Sequence, residues 1–79
     1  MGRIHRVNRR FRRFHLHRHE DLTGTSGIGI VAEGVVFGDG TAVLRWTTHL
    51  KSTAVYAGIL DIIAIHGHDG TTQVEWIDG

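Results

Sequence analysis

The feature that most constrains the fold of this chain is the separation of its charges along the sequence. Residues 1–19 contain seven arginines, four histidines and no acidic residue, whereas residues 20–79 contain two basic and eight acidic residues. A net charge of +1 therefore combines a segment of +7 with a body of −6. Because a dense run of arginines is rarely buried, the hydrophobic core has to come mainly from residues 20–79.

The length and composition exclude several classes of protein. A chain of 79 residues is one domain at most, and its stability is marginal. The absence of cysteine excludes disulfides and zinc sites built on thiolates. No apolar run approaches the roughly 20 residues of a membrane-spanning helix, and no secretory signal is apparent. We therefore expect a cytoplasmic protein without a membrane partner, which gains stability as a homo-oligomer.

The first residues are predicted to form a basic arm over residues 1–11, either as a short helix or extended. The helical alternative rests on one apolar stripe, formed by Ile4, Val7, Phe11 and Phe14. Residues 12–20 alternate as a strand instead. In that strand Phe14 and Leu16 would face the core, and His15, His17 and His19 would face outward.

The remaining residues, within a predicted domain over 12–79, read as short strands separated by glycine turns. Strands are predicted over 28–37, 41–48, 53–58 and 71–77, with a hairpin turn at Gly38-Asp39-Gly40. We expect a bulge or bend at Gly34, and the segment 59–65 fits either a helical turn or a strand. The pattern predicts a mostly β fold, a small bent antiparallel barrel of about five strands, SH3-like or alternatively OB-like.

The arginine-rich segment is the strongest functional signal, because guanidinium groups bind phosphates through paired hydrogen bonds. The sequence predicts contacts to nucleic acid or another phosphate-rich partner by Arg3, Arg6, Arg9, Arg10, Arg12 and Arg13. In the alternative, the segment lies against the acidic body of its own or a neighbouring subunit, as in a structural assembly protein.

The alternating histidines suggest a metal site. His15, His17 and His19 lie on one strand face, with neighbouring members about 6.5 Å apart, so that a pair can share one Zn²⁺. All three span about 13 Å, which is too far for one ion. The alternative is a solvated face that helps the arginines to bind anions, and we otherwise expect no cofactor.

No catalytic arrangement stands out, and we expect no enzymatic activity. The segment Gly27–Ala32 formally matches a dinucleotide fingerprint, but strand-like residues follow it where a helix is required. His66-Gly67-His68-Asp69 departs from the metal motif of metallo-β-lactamase-like hydrolases, because its aspartate comes one position early. A second binding hypothesis is a pocket for a small ligand, such as a nucleotide signal, at a subunit interface. Its lining would be Trp46, His66, His68 and Thr71.

Two segments also carry a resemblance. Glu20–Trp46, with its Ser-Gly-Ile-Gly-Ile-Val-Ala-Glu-Gly-Val-Val-Phe run, and Ile65–Thr71 followed by Trp76 resemble a group of small proteins from actinobacteria, haloarchaea and their phages. The resemblance covers roughly residues 13–78. It implies an accessory protein linked to a phage or mobile element, and it transfers no catalytic residue.

Overall fold

The computed structural model describes residues 10–19, 28–67 and 70–78. They form five β-strands and one α-helix: β1 (Arg12–Arg18), β2 (Gly29–Val36), β3 (Ala42–Trp46), β4 (Thr53–Tyr56), α1 (Ile59–His66) and β5 (Thr72–Trp76). Each predicted strand is confirmed, and the ambiguous segment 59–65 is helical. Most of the predicted arm, residues 1–9, lies outside the described residues, as does His68.

The strands form one antiparallel sheet in the order β4-β3-β2-β1-β5. The mostly β class and the five strands are therefore confirmed, but the sheet does not close into the predicted SH3-like or OB-like barrel. In the described ranges β4 and β5 remain its two edges. The connection between them is α1, whose Ile62 is fully buried. This helix packs against the bent sheet through Ile62, which belongs to the core.

The core lies on the face of the sheet beneath α1, here called the inner face. Phe14 and Leu16 of β1 point into it, as the alternation predicted. Five further buried residues complete the core: Val31, Ala32, Ala42, Leu44 and Ile62. Burial of each large apolar side chain contributes about 1.5–3 kcal/mol, so these few residues dominate the stability of the sheet.

A β-bulge shifts the register between β1 and β2. Leu16 pairs with Ala32, and His17 pairs with Ile30, so Val31 is the extra residue on β2. Val31 and Ala32 are both buried although they are consecutive in the strand. A bulge of this kind increases the local twist, and it lies between Leu16 and the end of β1 that carries His17.

The bend predicted at Gly34 is wrong. Gly34 pairs in regular register with Phe14 on β1 and with Leu44 on β3. Close packing requires a glycine at this position instead. A Cβ atom there would lie 2.5 Å from the Val43 carbonyl oxygen and even closer to the Phe14 ring. The missing side chain makes room for that ring in the core.

The hairpin predicted at Gly38-Asp39-Gly40 is confirmed. The Phe37 amide donates to the Thr41 carbonyl at 2.8 Å, and Gly40 has the positive φ of 96° that glycine tolerates. Asp39 fixes the return strand, since its carboxylate accepts a hydrogen bond from the Thr41 amide at 2.9 Å.

Candidate functional site

Arg13, the second residue of β1, binds Asp78 near the C-terminal end of the sequence. Two nitrogens of the Arg13 guanidinium donate to the two carboxylate oxygens of Asp78 at 2.9 and 2.8 Å, and the Arg13 amide donates to the same carboxylate at 2.9 Å. These hydrogen bonds, with the charge of the guanidinium, lower the pKa of the Asp78 carboxyl. The same hydrogen bond and the negative charge of Asp78 raise the pKa of Arg13.

The neighbouring Arg12 lies over an aromatic ring. Its guanidinium carbon is 3.8 Å from the centre of the Trp76 ring, which is a cation–π contact. Its Nε also donates to the Asp78 carbonyl at 3.3 Å. The base of the basic segment is therefore attached to the end of β5 through two side chains.

Three of the six predicted phosphate-binding arginines thus have a described position. Arg10 is exposed, Arg12 lies on Trp76, and Arg13 binds Asp78. Arg13 therefore meets an acid of its own subunit. Arg3, Arg6 and Arg9 lie outside the described residues.

Of the three predicted outward histidines, His15 and His17 lie in β1 and His19 follows its end. His17 Nδ1 lies 2.8 Å from Glu75 Oε2, and His19 Nε2 lies 3.1 Å from Gln73 Oε1. The rings of His17 and His19 are 4.3 Å apart between their centres. One ligand atom each from His17, His19 and Glu75 lies within 4.8 Å of the others. We call these three residues the histidine–glutamate cluster; His15 does not belong to it.

The predicted ligand pocket is assembled only in part. The Trp46 and His66 rings contact each other edge to face, with their centres 5.0 Å apart. A residue that the sequence did not single out, Tyr56, has its hydroxyl 2.9 Å from His66 Nε2. His68 lies outside the described residues, and Thr71 precedes β5.

A groove runs between α1 and the edge strand β5, with a volume of about 810 Å³. It is lined by Ile59, Ile63, Ala64, Gly67, Gly70, Thr72, Gln73, Val74 and Trp76. Neither Trp46 nor His66 lines it. Trp76, which is 39% exposed, is the tryptophan at the rim, whereas Trp46 packs against the core.

Sequence reasoning missed the residues that β5 and the C-terminus contribute. Glu75, Gln73 and Asp78 become partners of β1 only because the last strand pairs with the first. The alternation of Gln73 and Glu75 with Val74 was a visible signal that both polar side chains face outward. What the sequence did not show was which strand lies beside them.

Within the described ranges, no helix has the length and apolar composition that crossing a bilayer requires. The comparison with protein families matches residues 11–78 to one family, described as Acb5 phage protein. No curated protein and no solved structure matches the chain. The match confirms the predicted link to phages, and since it covers nearly the whole sequence, this chain belongs to the Acb5 phage protein family.

Proposed function

We propose that this phage protein is a non-enzymatic binding module whose arginine-rich N-terminal segment engages nucleic acid or another phosphate-rich partner. The observation that carries the proposal is the charge of +7 over residues 1–19, attached to a body of −6. With this charge distribution the basic segment attracts a polyanion and the acidic body repels it, so binding is directed to the segment. Binding of this kind is independent of sequence and sensitive to salt.

The contacts at the start of β1 support this function, because they give the basic segment a defined point of departure. Arg12 and Arg13 hold its base on Trp76 and Asp78. The Arg13 side chain nevertheless remains 62% exposed. Exposed ion pairs contribute little to stability, because water and salt screen them, so a phosphate can replace the carboxylate of Asp78.

The proposal predicts that the arginines of the segment set the salt dependence of binding. In Arg9→Ala/Arg10→Ala, binding to a short fluorescein-labelled DNA duplex should weaken. The slope of log affinity against log salt should become shallower by about 0.9 for each lost phosphate contact. Fluorescence anisotropy between about 50 and 200 mM salt measures both quantities.

The matched control is Arg45→Ala/Lys51→Ala, which also removes two positive charges but takes them from the body. This variant should keep the slope of the unmodified protein. An equal loss in both double variants, or no binding by the unmodified protein at low salt, would contradict the proposal.

A second candidate function is the binding of a nucleotide by the body, and the groove between α1 and β5 favours it. The groove offers apolar side chains and the Trp76 ring for stacking. The Arg12 guanidinium does not line the groove, but it contacts that ring and supplies a positive charge for a phosphate. In this proposal the nucleotide pocket is lined by Trp76, in place of the Trp46 and His66 that the sequence predicted. Removal of residues 1–9 separates the two functions: calorimetric titration with nucleoside mono- and triphosphates should then still show binding, while duplex binding is lost.

We also propose that the protein forms homo-oligomers. The edge strand β4 presents Val55, which is 69% exposed, and α1 presents Leu60 and Ile65, which are 75% and 58% exposed. Exposed strand edges and apolar side chains of this kind favour pairing between copies. If the protein is a structural component instead, its native mass should fall to that of a monomer when residues 1–9 are removed.

A further inference from the structure

We propose that the histidine–glutamate cluster is a binding site for Zn²⁺ or a similar divalent transition metal, located where β1 and β5 pair on the outer face of the sheet. The three ligands are His17, His19 and Glu75. None of these ligands is one of the arginines proposed to bind phosphate, and none of them lines the groove beside α1.

The distances in the cluster already approach those of a metal site. In a tetrahedral zinc site with bonds of about 2.0–2.1 Å, ligand atoms are separated by about 3.3 Å. Here the three ligand atoms lie within 4.8 Å of one another, and His17 Nδ1 is 2.8 Å from Glu75 Oε2. Small side-chain rotations bring all three to bonding distance, and the ion takes the place of the contact between His17 Nδ1 and Glu75 Oε2.

The strand pairing holds these side chains in place before any ion binds. His17 pairs with Gln73, and His15 pairs with Glu75. The Glu75 carboxylate reaches diagonally across to His17 rather than to its direct partner His15. Gln73 adds a further restraint, since its Oε1 accepts a hydrogen bond from His19 Nε2 at 3.1 Å. In that tautomer His19 Nδ1 keeps the lone pair that a metal requires, an arrangement typical of the groups behind metal ligands.

The donor set favours a borderline transition metal over calcium or magnesium. Two imidazoles and one carboxylate suit Zn²⁺, whereas hard cations prefer ligand sets made of oxygen. Three protein ligands leave the fourth position of a tetrahedral zinc open. The side chains of His17 and Glu75 are 34% and 41% exposed, so that position faces solvent. It can take water or a phosphate oxygen of a bound ligand.

The test is calorimetric titration of the full chain with zinc chloride alone. We expect saturable binding with one ion per chain at this site. His17→Ala and His19→Ala should each weaken its affinity by at least about tenfold, since even residues behind the ligands matter by about 10–100-fold. Glu75→Gln should weaken it too, because the amide preserves the size of the side chain but removes the charge.

His15→Ala is the matched control, because His15 lies on the same face of the same strand and outside the cluster. It should leave the affinity unchanged. Co²⁺ provides a second readout, with the visible spectrum of a tetrahedral site expected for the unmodified protein and for His15→Ala only. Equal weakening in His15→Ala and His17→Ala, unchanged affinity in Glu75→Gln, or no saturable binding would overturn the proposal.

Discussion

The two faces of β1 show different uses of neighbouring residues. On the inner face Phe14 and Leu16 are buried, and they pack with Leu44 and Ile62 into the core. On the outer face His15 and His17 remain partly exposed and contribute nothing to that core. The period of two in this strand therefore separates residues that determine the fold from residues that are free to bind other molecules.

β5 and the residues that follow it provide the polar partners of β1. The start of β1 meets the C-terminal segment through Arg13 and Asp78, and the end of β1 meets β5 through His17 and Glu75. Both polar contacts depend on the pairing of the first strand with the last. The core fixes this pairing, and the pairing in turn places the polar side chains.

The largest expected effect is the difference in stability between substitutions at two adjacent positions of β1, one on each face of the sheet. Phe14→Ala should lower the free energy of unfolding by about 3–5 kcal/mol, because it removes a fully buried ring and leaves a cavity. His15→Ala should change it by no more than about 0.5 kcal/mol. Urea unfolding followed by circular dichroism measures both values. Similar losses in the two variants would show that the faces do not differ in this way.

A smaller loss is expected at Gly34, where the inner face has no room for a side chain. Gly34→Ala should cost about 1–3 kcal/mol, because its Cβ overlaps the Phe14 ring and the Val43 carbonyl oxygen. The double variant Gly34→Ala/Phe14→Leu distinguishes these contacts. If the ring is the main obstacle, the double variant should lose less stability than the two single losses added together. Strict additivity would assign the cost to the backbone contact instead.

The smallest effect concerns the contact between Arg13 and Asp78, and it depends on pH. Because the folded protein lowers the pKa of Asp78 below its ordinary value of 3.8, the unfolded chain takes up the proton first as the pH falls. The contact therefore stabilises the fold above about pH 4, and this stabilisation is lost as the pH falls further. Asp78→Asn should melt slightly below the unmodified protein at neutral pH, and the two melting temperatures should converge in acid. A constant difference down to pH values well below the ordinary pKa would contradict this reasoning.

The sequence predicted the strands well, because alternation and β-branched residues are local signals. It could not decide the segment 59–65, whose apolar residues are too continuous to show a period. It placed a bend at Gly34, since a glycine needed for the packing of Phe14 looks the same in sequence as a glycine needed for a bend. Barrel closure was expected because the sequence does not show that α1 covers the sheet.

Of the residues in the candidate sites, only those contributed by the first strand and its flanking residues could be predicted from the sequence. Alternation identified the outward histidines, and charge identified Arg12 and Arg13. Their partners are 58 and 65 residues away along the chain, in the contacts of His17 with Glu75 and of Arg13 with Asp78. A single sequence carries no local signal for pairing at that distance.

If the arginine-rich segment binds a phosphate-rich partner, that partner should remain bound to the protein as it is purified from cells. The ratio of absorbance at 260 and 280 nm and the native mass are determined at low salt and again at high salt. We expect an excess of 260-nm absorbance at low salt that is lost at high salt, because contacts to phosphate weaken with salt. A spectrum free of nucleic acid at both salt concentrations, together with one discrete oligomer mass, would contradict this binding. It would indicate instead that the segment takes part in assembly of the oligomer.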